Sequence, residues 1–113
     1  MKINEDCQTM THHAYYLYDS LSKFEDYKKS INPFWAKKFE RFGIDEAREL
    51  VVLTSLKNSG TAVFFLGVSN ITNDAQQALL KLFEEPGEGT IFILLLPHGA
   101  LLPTLKSRML LYE

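Results

Sequence analysis

Two near-continuous apolar runs, residues 61–68 (TAVFFLGV) and 90–96 (TIFILLL), constrain this chain more than anything else in it. Neither alternates polar with apolar residues, so each predicts a strand covered on both faces. Between them, Ala75, Ala78, Leu79, Leu82 and Phe83 recur at i, i+3, i+4, i+7 and i+8, the apolar stripe of an amphipathic helix. Thr72 or Asn73 caps its start, and Pro86-Gly87 stops it. Two buried strands joined through a helix predict parallel neighbours, because parallel strands need a crossover.

The flanking segments continue the alternation. Residues 13–18 (HAYYLY) read as a short buried strand, with Asp19-Ser20 as a cap or turn. Leu21, Phe24, Tyr27 and Ile31 then trace a helix ending near Asn32-Pro33. Residues 34–42 (FWAKKFERF) fit either a strand or a helix, with Pro33 and the aromatic content favouring an edge strand, after which Gly43 breaks the pattern. Ile44, Ala47, Leu50, Val51 and Leu53 mark a second helix with Asp45 and Glu46 in its first turn, ended by Asn58-Ser59-Gly60. Residues 101–105 make a turn or short helix, and residues 109–112 a last strand. The expectation is a three-layer α/β domain around a central, mainly parallel five-stranded sheet, spanning 1–113 as one unit.

With 113 residues the chain can bury a real core without staples. A net charge of -2 gives no global attraction to nucleic acid, so any contact with DNA needs a local patch or partner subunits. Lys37, Lys38 and Arg41 offer a basic edge, though a solvated strand face is the readier explanation. Cys7 is the single cysteine and excludes an internal disulfide or a CxxC zinc module, which suits a reducing cytoplasm. Neither a membrane span nor a secretory signal is expected. His12 and His13 lack ligand partners at metal spacing and read as structural.

Three features go beyond a plain α/β framework. Glu84 and Glu85 end the helix over 73–85, where the macrodipole disfavours acids by roughly 0.3–1 kcal/mol each. As surface charges they need no function, but local rules are most often broken at functional sites. Ser107-Arg108 precedes the last strand, and on its own such an arginine is a surface charge. Asp45 and Arg48 are spaced for an i,i+3 pair on a capped helix.

Taken together these residues resemble the AAA+ core domain of bacterial clamp-loader subunits, the delta-prime type of DNA polymerase III above all. Ala75, Ala78, Leu79, Leu80, Lys81, Glu84, Glu85 and Pro86 are similar to the family's A-x-x-A-L-L-K-x-x-E-E-P helix. Residues 102–108 (LPTLKSR) resemble its L-P-T-I-x-S-R-C stretch, with Met109 in place of the cysteine. Asp45 and Arg48 fall in an element similar to I-D-x-x-R-x-L, and His13-Ala14-Tyr15 where the family has H-A-Y-L. The resemblance is strong over 42–108 and weak over 13–17.

The resemblance implies that Arg108, set by Ser107, acts as a finger on the ATP of a neighbouring subunit. A permanently charged, forked guanidinium suits that task. Glu84, Glu85, Pro86, Asp45 and Arg48 are then expected at a subunit interface or as structural motif residues. The implied partners are ATP-binding clamp-loader subunits and the delta subunit, with the sliding clamp and primer-template DNA reached through the assembled complex.

Departures from the family matter as much. A phosphate-binding loop needs glycine-rich backbone and a lysine, but Tyr18-Asp19-Ser20-Leu21-Ser22-Lys23 contains no glycine. The strand that should end in an acidic pair runs into Gly67-Val68-Ser69-Asn70, and Pro97-His98-Gly99 occupies the place of a polar sensor. The family's zinc-binding insertion, helical lid and collar have no counterpart. The expected role is therefore non-catalytic, with no cofactor, nucleotide or metal of its own. The alternative is a stand-alone protein-interaction module that kept the AAA+ fold.

Overall fold

The computed structural model describes residues 13–56, 60–85, 89–97 and 99–112. The expected stops at Asn58-Ser59 and Pro86-Gly87, together with Cys7, His12 and His98, lie outside them. Five strands, β1 (Ala14–Tyr18), β2 (Trp35–Phe42), β3 (Ala62–Ile71), β4 (Thr90–Leu96) and β5 (Leu110–Leu111), form one sheet in the order β2-β3-β4-β1-β5. Every pairing is parallel, where the sequence predicted a mainly parallel sheet. A 3-10 turn (Leu21–Lys23) leads into α1 (Phe24–Ile31), and α2 (Ile44–Ser55), α3 (Asn73–Glu84) and α4 (Pro103–Lys106) follow.

The unbroken apolar runs are explained by the two faces of the sheet. Phe64, Leu66 and Val68 of β3 and Phe92, Leu94 and Leu96 of β4 point to one side. There they meet Leu50 of α2, Leu79 and Phe83 of α3, and Leu105 of α4. Val63 and Phe65, with Ile91, Ile93 and Leu95, point to the other and meet Phe24 and Ile31 of α1. Full burial of side chains this size contributes about 1.5–3 kcal/mol each. Gly67 is required on the second side. A Cβ there would lie 2.5 Å from Cδ1 of Phe24, whose ring stacks on Phe65 at 4.8 Å.

Some boundaries differ from the sequence-based expectation. β3 continues to Ile71 because its end pairs with Arg41 and Phe42 of β2, beyond the reach of β4. Thr72 is the cap of α3, its Oγ1 accepting from the Ala75 N–H at 3.1 Å. The helix stops at Glu84, and Glu85 becomes the C-cap with non-helical backbone. The β2 edge strand forms as expected, and its Lys37, Lys38 and Arg41 are exposed. Among the described residues no helix is long and apolar enough to cross a membrane.

Candidate functional site

Open α/β sheets bind ligands outside the carboxyl ends of their strands, at the point where strand order reverses. Here that position, next to the end of β1, is a cleft of about 480 Å³ lined by Tyr18, Asp19, Ser20, Leu21, Ser69 and Pro97. Only Asp19 and Ser20 connect β1 to the 3-10 turn, and their hydrogen bonds close inward. The Ser20 N–H donates to the Asp19 carboxylate at 2.7 Å, and the Ser22 N–H donates to Ser20 Oγ at 3.2 Å. The Lys23 N–H donates to the Ser20 carbonyl at 3.0 Å. These are the backbone donors that a phosphate-cradling loop turns toward its ligand, and here each has an internal acceptor.

The Asp19 carboxylate in the cleft also disfavours a phosphate. Tyr27 donates its hydroxyl to Asp19 Oδ2 at 2.6 Å, and the Lys23 ammonium lies 3.8 Å from the same oxygen. The Tyr27 hydrogen bond, then the Ser20 N–H, hold the Asp19 carboxyl below its ordinary 3.8. That same bond raises the Tyr27 phenol above 10.0. Asp19 is thus fixed as an anion in the cleft, while β3 contributes Ser69 and no carboxylate. Among the described residues no group of three or more His, Cys, Asp or Glu is placed to hold a metal.

The second region starts near the carboxyl ends of the strands and runs back along α3 toward their amino ends. After β4 the chain turns back along α3. Gln76, 2% exposed, donates its Nε2 to the Ala100 carbonyl at 3.2 Å and accepts the Leu102 N–H on Oε1 at 2.7 Å. Pro103 then starts α4 with the fixed φ that a first helical position favours. Leu101, Leu105 and Met109 are buried anchors, and the Lys106 ammonium lies 5.5 Å and 5.6 Å from the Tyr16 and Tyr18 rings. Ser107 donates its hydroxyl to the Thr104 carbonyl at 2.6 Å, closing the single turn. The next side chain is Arg108, whose Nη2 lies 3.8 Å from Glu84 Oε2.

The structure therefore joins two residues that the sequence singled out separately, Glu84 and Arg108. It does not bring Asp45 and Arg48 to them. Those two pair at 4.0 Å on the exposed first turn of α2, which follows the carboxyl end of β2. Glu85 is an exposed helix cap, and Pro86 lies outside the described residues. Gln76, Lys106 and Asp19 carry parts of these two regions that sequence reasoning missed. For Gln76 a signal existed: it shares the α3 stripe with Leu79 and Phe83, three and seven residues on.

Arg108 and the cleft sit at opposite ends of the sheet. Leu110 pairs with Tyr15, near the start of β1, and Arg108 lies still earlier, whereas the cleft begins at Tyr18. From Tyr15 to Tyr18 alone the strand rises roughly 10 Å.

A five-stranded all-parallel sheet in the order β2-β3-β4-β1-β5, with helices on both faces, defines a three-layer α/β domain. Residues 4–113 match the family described as DNA polymerase III, delta subunit, and the chain belongs to that family. Among solved structures, the DNA polymerase III gamma subunit-related protein of Thermotoga maritima superposes with a TM-score of 0.69 at 18% identity. That likeness is one of fold. It covers 96% of this chain and 44% of the Thermotoga protein, so this chain spans less than half of that length. No curated protein matches the sequence.

Proposed function

We propose that this chain is a delta-prime-like, non-catalytic subunit of a DNA polymerase III clamp loader that supplies Arg108 to the nucleotide of a neighbouring ATPase subunit. The observation that carries this reading is the separation of Arg108 from the chain's own cleft. A guanidinium at the far end of the sheet cannot serve a phosphate bound beside Asp19, but it is half exposed at the surface. The inward-bonded Asp19-Ser20 turn, with its fixed negative charge, supports the absence of a nucleotide site in this chain. A cytoplasmic assembly of ATP-binding subunits, a delta subunit, sliding clamp and primed DNA follows from the same reading.

Mutation in the assembled loader tests it. Arginine fingers are worth about 10³–10⁵ in rate where they have been removed. In a loader reconstituted with clamp and primed DNA, Arg108→Ala is expected to lower hydrolysis at one site sharply while the assembly stays intact. Equal rates in an intact ring refute the trans role and leave a structural one.

The alternative, a protein-interaction module outside a loader, draws on the outer face of α2. Val52 and Leu56 are exposed there beside a shallow hollow lined by Asp45, Arg48, Glu49, Val52 and Leu53. Failure of the wild-type chain to join any loader subunits favours this module.

A further inference from the structure

Glu84 and Arg108 come from elements separated in the chain by all of β4, yet they meet at 3.8 Å. We propose that Glu84 is a positioning residue for Arg108, steering the guanidinium by charge so that it is presented along the end of α3 to a partner's phosphate. This rests on the trans role of Arg108 proposed above.

α3 holds the Arg108-bearing segment at both ends. Gln76 fixes the upper end through Ala100 and Leu102, and Glu84 meets the lower end at Arg108. About 12 Å of helix separates the two grips. Glu84 also stands at the helix terminus that disfavours a carboxylate, and a cation beside it offsets that placement. A captured arginine lies about 2.7–2.9 Å from its carboxylate, often through two bonds. At 3.8 Å the contact is an ion pair and too long for a hydrogen bond. With side chains 55% and 46% exposed, both residues lie at the surface. Narrowing the rotamers of a long side chain before docking lowers the entropy lost when it engages phosphate.

The test uses the full chain reconstituted with the ATP-hydrolysing subunits of its own loader, with ATP as the probe. Glu84→Gln, which keeps the shape and removes the charge, is expected to lower kcat about threefold to fivefold, the range of an exposed ion pair, with KM unchanged. Glu84→Asp restores most of the rate. In an Arg108→Ala background Glu84→Gln has no further effect, and the melting temperature of the isolated chain stays within about 2 °C of wild type. A Glu84→Gln rate equal to or above wild type, while Arg108→Ala is still slow, overturns the steering role and leaves the finger intact. The steering role is likewise overturned if Glu84→Gln slows the Arg108→Ala protein by the same factor as it slows wild type. If Arg108→Ala itself changes nothing, the finger falls and the steering role with it.

Discussion

Replacing Gln76 by Leu removes the carboxamide that ties α3 to the loop after β4 while nearly preserving side-chain volume. Two backbone groups lose their partners, the Ala100 carbonyl and the Leu102 N–H. A hydrogen bond contributes about 1 kcal/mol net, and a buried group left unpaired costs about 1–3 kcal/mol. Ala100 and Leu102 are only half-buried, so water reaches part of what is exposed and the lower half of that range applies. The expected loss is about 2–3 kcal/mol, or roughly 8–12 °C in melting temperature for a domain of this size.

Urea unfolding followed by the fluorescence of Trp35 is a suitable assay. It is the single tryptophan, and it sits on the edge strand β2 against Phe64 at a ring distance of 6.1 Å. It therefore reports global unfolding, not a local change beside Gln76. The midpoint should fall while the slope stays constant, since the surface exposed on unfolding is the same. A Gln76→Leu protein within about 0.5 kcal/mol of wild type refutes the clamp.

Two further outcomes follow from the other face of the sheet and from the cleft. Gly67→Ala forces the Phe24 ring off Phe65 and should destabilise the fold by about 1–3 kcal/mol, with Phe24→Leu in the same chain recovering part of it; calorimetry of both variants and the double mutant checks this. Asp19 is lowered in the folded state, so its contribution is present above 3.8 and lost as pH falls through the folded value. Tyr27 is raised, so its contribution is present below 10.0 and lost as pH climbs through its higher folded value. Tyr27→Phe should return Asp19 toward 3.8 in a carboxyl NMR titration and abolish the alkaline loss.

Periodicity and caps made most of the fold legible. The two apolar runs could only be strands packed on both sides, and β3 and β4 send alternate residues into the two core layers. The end of β3 was hidden because Ser69 and Asn70 are exposed and polar; their strand character comes from a neighbour, β2, not from their own side chains. The candidate site was legible only residue by residue. Glu84 and Ser107-Arg108 stood out, but nothing local ties a helix end to a turn beyond the next strand. Gln76 was missed for a related reason: a glutamine on a helix reads as surface until the loop that needs its two bonds is in place.

The order of strands also dictates a schedule for the nascent chain. β1 is synthesised before the other described strands, yet its neighbours in the sheet are β4 and β5, the last two of those described. Until those emerge, Tyr15 and Ala14 have no ladder to join. Pairings between chain ends carry a high loop-closure cost and slow folding. Completion of the sheet around β1 therefore waits for β4 and β5, and it is these long-range pairings that limit how early the fold can close.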